Sequence, residues 1–264
     1  MLHEKYNIDL FKNTGAIVLR GVFKEWVQPL KEGIKFLMEN PSPRERSYTP
    51  SDGTAPFFQD LCNWQRVQEF KNFIYYSPAA ETACKLMNSK SARFFHDHVL
   101  VKEPGSSMVT PWHQDQPYYC TEGFQSVSFW IPLDKITKKI SINCISGSHL
   151  WGKVHKPKRF DGTDLFENDK NEEVPDIDNN KEDYEILSWD MDPGDAVAFN
   201  FRTLHGANAN SNQNQRRRVF SARWVGEDAK FVDRKGKGSP PFNHLKLKTG
   251  EPLSGKDFPL IYSR

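Results

Sequence analysis

From Ser91 onward the sequence breaks into short runs of β-branched and aromatic residues separated by turn-forming residues, and this rhythm restricts the fold to a β core. Expected strands cover 92–102, 126–133, 140–145, 196–202 and 217–225. Turn residues at 134–139 and the Asp-Pro-Gly-Asp of 192–195 punctuate them. The region in front reads differently. Residues 15–22 (GAIVLRGV) form a glycine-bracketed strand, and 23–40 place Trp26, Leu30, Ile34, Leu37 and Met38 at mostly helical spacing. Further helices are expected around 63–74 and 79–87. The Pro-, Ser- and Arg-rich stretch 41–56 reads as a mobile loop, and 226–264 as irregular surface chain.

A chain of 264 residues can bury one sizeable core, so a single domain over 1–264 is expected. Its parts are an N-terminal strand and helices over 1–90, a β core over 91–225 and the irregular segment 226–264. The core carries an insertion over 152–186. Its 161–185 portion is crowded with Asp and Glu and lacks the ligand order of a calcium loop. The 36 basic and 34 acidic residues nearly cancel, so neither nucleic acid nor an anionic membrane is expected as a partner, and a small molecule is. Cys62, Cys84, Cys120 and Cys144 form no C-x-x-C pair and read as free thiols. No apolar run approaches the roughly 20 residues of a membrane helix, and the first residues lack a signal-peptide core. A soluble, reduced, cytoplasmic protein of open oligomeric state is the expectation.

The chemistry-bearing fragment is Thr110-Pro111-Trp112-His113-Gln114-Asp115-Gln116-Pro117-Tyr118-Tyr119. On an extended strand, residues two apart share a face, so His113 and Asp115 would address one point while Gln114 faces away. His205, after an expected strand, completes a 2-His-1-carboxylate set, the arrangement that leaves adjacent positions open on non-haem Fe(II). His96 and His98 are also two apart, but Asp97 between them would face the wrong way, so they read as supporting or pocket-lining residues. His149 and His155 are weaker candidates, and His3 and His244 read as surface residues. About a dozen residues past His205, Arg216, Arg217 and Arg218 lead into an apolar strand. A guanidinium drawn inward there needs an anion, and its fork matches a carboxylate. The period of two sets Arg217, Val219 and Ser221 on one face.

These motifs closely resemble the phytanoyl-CoA dioxygenase family of Fe(II)/2-oxoglutarate oxygenases. The resemblance runs through HDHVLVKEPG (96–105), WHQDQPYY (112–119), SFWIPLD (128–134), GSH (147–149), the PGD turn, HGA (205–207) and the R-R-x-F-S-x-R-W pattern. It implies a mainly β fold, a double-stranded β-helix of the jelly-roll or cupin type with an N-terminal helical layer. It also implies Fe(II) on His113, Asp115 and His205, with 2-oxoglutarate and O2 as co-substrates. The co-substrate arginine is Arg216 by distance from His205 and Arg217 by the text that follows; Arg217 is the reading taken. Trp130 and His98 match positions contacting 2-oxoglutarate, and Lys102 lies near that pocket. Two departures stand out. Residues 138–146 replace a polar, glycine-containing segment, and the acidic insertion is unlike the namesake, so its acyl-CoA substrate does not carry over.

The implied reaction is hydroxylation of a small molecule with release of succinate and CO2, and Asp115 argues against halogenation, which needs that metal position free. Two other classes use similar residues: a non-redox cupin-type isomerase or hydrolase on zinc or manganese, and a non-catalytic jelly-roll binding protein.

Overall fold

The structure is a computed structural model describing residues 7–159, 163–167, 169–234 and 238–264; His3 lies outside these, as do residues 160–162 and 168 of the insertion. Two antiparallel sheets form the jelly roll. The major sheet comprises β1 (Ala16–Leu19), β2 (Phe57–Leu61), β3 (Ser91–Lys102), β6 (Ser126–Pro132), β9 (Ala196–Phe199), β11 (Arg217–Val225) and β13 (Leu260–Ser263). Its order is β1-β9-β6-β11-β3-β13, with β2 also on β3. The minor sheet, β4-β10-β7-β8, is built of β4 (Thr110–His113), β7 (Ile142–Ile145), β8 (Ile186–Leu187) and β10 (His205–Ala207). A small ribbon pairs β5 (Thr121–Glu122) with β12 (Lys230–Phe231).

Alternation along β11 explains the layering. Phe220, Ala222 and Trp224 face outward into a core shared with α2 (Val27–Glu39), α3 (Gln68–Tyr76) and α4 (Ala79–Leu86). Phe220 packs 4.7 Å from Phe70 and 5.3 Å from Phe73, ring to ring. The helices therefore cover one face of the major sheet, as the apolar stripes of α2 and α3 require. The other face of β11 carries Val219 into a second core with Trp130, Val197, Phe199, Ile142 and Cys144, between the sheets. Burying each large side chain in such layers contributes about 1.5–3 kcal/mol, which fixes the two sheets against each other.

The structure corrects several sequence expectations. The 41–56 segment is irregular but pinned rather than free: Ser42 donates through N and Oγ to Asp60, and Tyr48 pairs with Phe57. The 63–74 helix begins only at Gln68, because the Asn63 and Trp64 amides go to the Asp97 carboxylate. The strand expected over 196–202 stops at Phe199, where Asn200 turns the chain by accepting the Arg202 amide. Residues 138–140 are a 3-10 turn rather than the start of β7. The C-terminal segment is not wholly irregular, since β13 adds to the edge of β3. A short helix, α1 (Ile8–Thr14), was not expected; Asn7 caps it and Gly15, at φ 74°, ends it. Among the described residues no helix is long and apolar enough to cross a membrane.

Candidate active site

His113 ends β4 and His205 begins β10, and the two are direct cross-strand partners. Their rings lie 4.2 Å apart. Asp115 arrives differently from the expectation of one extended strand. The strand stops at His113, and Asp115 takes a right-handed helical conformation at the head of the 3-10 turn Gln116–Tyr118. Gln114 does point away, as expected: its amide donates to the Lys153 and Arg202 carbonyls and accepts from the His155 amide. Those bonds, with Pro117 in the turn, stop the strand and swing Asp115 back under the histidines.

The three side chains converge. Asp115 Oδ1 is 3.7 Å from His113 Nε2 and 3.8 Å from His205 Nε2. His113 Nδ1 bonds the Pro111 carbonyl at 2.8 Å and His205 Nδ1 the Thr203 carbonyl at 3.0 Å. A carbonyl only accepts, so each Nδ1 carries the proton and each Nε2 keeps a lone pair for a metal. Burial, with His113 alongside, pushes His205 down to about 3, which keeps it neutral. Burial would raise Asp115, but the Arg223 guanidinium and the two imidazoles outweigh it and hold the carboxyl well below its usual range. Two imidazole nitrogens and one carboxylate oxygen on one side of a point suit a divalent metal with open positions. Among the described residues this is the group able to hold a metal ion.

A second cluster lies at the start of β11. Arg217 is paired with Lys102 of β3, and both are buried. Arg217 Nη1 donates to the Ile140 and Asn208 carbonyls, and its guanidinium sits 5.9 Å from the Trp130 ring. Lys102 Nζ donates to Asn208 O at 3.1 Å and lies over the Phe57 ring. No carboxylate among the described residues pairs with either cation. Burial, with Arg217 alongside, lowers Lys102 well below its usual value, and burial brings Arg217 to about 9, still cationic at neutral pH. A buried guanidinium and a buried amine with no carboxylate partner among the described residues fit a bound anion, which would favour the charged form of both. Arg216, by contrast, is exposed and paired with Glu103.

Between the clusters, His98 of β3, Ser221 of β11 and Trp130 of β6 form one row across the sheet. His98 Nε2 and Ser221 Oγ are buried without partners among the described residues. These orphaned polar atoms, the cation pair and the metal-ligand set together fit an iron chelated by a dicarboxylate.

The remaining candidates fall elsewhere. His149 bonds the Lys12 carbonyl, and His155 bonds Glu173 O in the insertion. His244 is half exposed beside Asp257. His96 is buried against Tyr119. Phe129 and Tyr119 are core, while Tyr118 lies 5.7 Å from His113. The cysteines are free, and all but Cys62 are buried. Sequence reasoning missed Ser128 and Arg223, which both reach Asp115 Oδ2. The period that set Ser221 beside Arg217 continues to Arg223, so that signal was present; Ser128 had none beyond its alternation with Trp130.

The family model for phytanoyl-CoA dioxygenase (PhyH) matches residues 11–219. The chain belongs to the phytanoyl-CoA dioxygenase family. Iron, 2-oxoglutarate and O2 are the cofactors of this PhyH chemistry, and His113, Asp115 and His205 form a possible metal site. A curated relative, dioxygenase cdmD of Talaromyces verruculosus, is 24% identical over 233 residues, spanning 78% of this chain and 69% of that protein. Among solved structures, the non-haem α-ketoglutarate-dependent carbocyclase SnoK from nogalamycin biosynthesis superposes with TM-score 0.76 at 18% identity, covering 97% of this chain and 95% of that one. The epimerase SnoN, in complex with Fe3+, α-ketoglutarate and nogalamycin RO, gives TM-score 0.75 at 20% identity and covers 99% of each chain. These two share the jelly-roll fold with this PhyH member.

Proposed function

We propose that this oxygenase hydroxylates a small-molecule substrate, consuming 2-oxoglutarate and O2 and releasing succinate and CO2. His113, Asp115 and His205 are the iron ligands, and Arg217 holds the far carboxylate of 2-oxoglutarate. Lys102 adds a second positive charge to that end, and Trp130, His98 and Ser221 line the space between. The observation that carries the reading is the pairing, in one barrel, of a three-ligand metal set with a buried guanidinium and a buried amine that have no carboxylate partner among the described residues.

Bound iron with 2-oxoglutarate supplies O2 activation and removal of a substrate hydrogen atom. The protein's own work is placement. The carbonyls of Pro111 and Thr203 fix both imidazoles in the ligating tautomer. Arg217 and Lys102 orient the co-substrate, the two-point guanidinium geometry setting its direction. Val219, Phe199 and Cys144, packed between the sheets, exclude water from the inner wall. Asp115 supplies a carboxylate where a halogenating site would need that position free, which favours hydroxylation over halogen transfer. Relatives of this fold include an epimerase and a carbocyclase, and hydrogen-atom removal is a step that epimerisation or ring closure could also follow.

The test is anaerobic addition of Fe(II) and 2-oxoglutarate to the metal-free protein, watching for the visible charge-transfer band of the chelate. A band in the wild type that weakens in Asp115→Ala and Arg217→Ala supports the reading and justifies a substrate screen by succinate release. Metal binding without the band would sink it and favour a zinc or manganese enzyme of the non-redox class.

A further inference from the structure

The two oxygens of Asp115 are treated unequally. Oδ1 faces both imidazole nitrogens, while Oδ2 accepts a hydrogen bond from Ser128 Oγ at 3.0 Å and lies 3.4 Å from Arg223 Nε. Arg223 and Asp115 are 5% and 3% exposed, so water does not screen this contact. The guanidinium is itself steered: Arg223 Nε also donates to the Tyr119 hydroxyl, and the Tyr119 ring is fixed against Phe95, His96 and Phe201. The backbone of Arg223 is held on both sides, opposite Ser128 of β6 and His96 of β3. Arg223 Nη1 has no partner among the described residues. Burial of a guanidinium with an unmade hydrogen bond costs stability, and the carboxylate it pairs with among the described residues is Asp115, one of the proposed metal ligands.

A carboxylate with a free second oxygen can turn and ligate through both, and a second bond from Asp115 would fill a position that the co-substrates need. We propose that Arg223 is a positioning residue of the metal centre: with Ser128 it occupies Asp115 Oδ2, so that Asp115 ligates through Oδ1 alone and three adjacent positions stay open. This rests on the assignment of His113, Asp115 and His205 as ligands. Tyr119, four residues after Asp115, aims the guanidinium, so the segment that supplies the ligand also supplies the part that aligns its support.

The experiment uses the full chain and metal alone. Mn(II) affinity is measured in wild type, Arg223→Gln, Arg223→Lys and Tyr119→Phe, with thermal melts for each. The visible spectrum of the Co(II) form reads coordination number. Outer partners of metal ligands are worth roughly 10–100-fold in affinity. Arg223→Gln, which no longer holds Asp115 in its one-oxygen orientation, is expected to change Mn(II) affinity by that factor and to alter the Co(II) spectrum at saturating metal, with Arg223→Lys restoring part of the wild-type behaviour and Tyr119→Phe falling between. Wild-type affinity and spectrum in Arg223→Gln overturn the proposal, and so does a lowered melting temperature with unchanged Mn(II) affinity, which marks a merely structural arginine. If Arg223→Gln does not fold, Tyr119→Phe decides, since it removes one hydroxyl and keeps the ring; unchanged Mn(II) binding there overturns the proposal. A wild type that binds no Mn(II) fails the ligand assignment instead, separating that outcome from a failure of Arg223.

Discussion

Lys102 and Arg217 face each other across β3 and β11, both buried, and both donate to the same oxygen, the Asn208 carbonyl, at 3.1 and 2.9 Å. Two like charges in that position repel, and no carboxylate among the described residues offsets them. Replacing Lys102 by Met should therefore stabilise the ligand-free protein, because it removes a buried charge that Arg217 repels. The same change should weaken 2-oxoglutarate. Opposite signs in a melting curve and a binding isotherm are the expected outcome; a Met variant that is less stable and binds 2-oxoglutarate as tightly contradicts it.

Arg217→Ala should cost more in binding, because hydrogen bonds to charged groups contribute about 1.5–3 kcal/mol each, or roughly 10–150-fold in Kd. Arg216→Ala should leave the Kd unchanged, since that side chain is exposed and engaged with Glu103. Calorimetric titration with 2-oxoglutarate in the presence of Mn(II) distinguishes the two arginines.

The pH dependence follows from Lys102, whose folded value is lowered by burial and by Arg217 below the ordinary 10.5. Between those two values the unfolded chain binds the extra proton, so stability rises with pH across that window and the penalty is full below it. The metal-free wild type should gain stability relative to Lys102→Met on the alkaline side. Binding of 2-oxoglutarate favours the charged lysine and should take up protons in the same window. Binding enthalpies that do not vary with the ionisation enthalpy of the buffer would rule this out.

Removing a ligand should act on metal and fold differently. His205→Ala and Asp115→Ala should both lose Mn(II) binding by more than roughly 100-fold, above the range for outer partners. Only Asp115→Ala should also strip Arg223 of its anionic neighbour, which costs about 3–5 kcal/mol when a buried pair is broken. Metal-free melts should show the aspartate variant as the less stable of the two.

Phe220 joins the helical layer to the major sheet through Phe70 and Phe73. Phe220→Ala should cost about 3–5 kcal/mol, or a fall of roughly 10 °C in Tm at about 2–4 °C per kcal/mol. Tyr76→Ala, at a position 78% exposed, should barely move it.

The β core was legible because alternation and turn residues are local signals: the strand expected over 217–225 is β11 as observed. The same alternation separated Arg217 and Ser221 from Phe220 and Trp224, putting charge inside the barrel and aromatics under the helices. What failed were segments whose backbone groups are satisfied from far away in the chain. Helix α3 starts late because Asp97 claims two amides, and 41–56 is tied down by Asp60. β13 exists only because β3 has a free edge.

The sequence by itself determined the family, the sheet-forming segments and which residue types could bind metal and dicarboxylate, because these depend on residue identity and short-range spacing. Tertiary structure alone decided that Asp115 reaches the histidines from a turn, that Arg217 sits buried beside Lys102, and that Ser128 and Arg223 hold the second oxygen of Asp115. Each of those outcomes depends on the register between strands far apart in the chain, and register is set by packing the whole barrel at once.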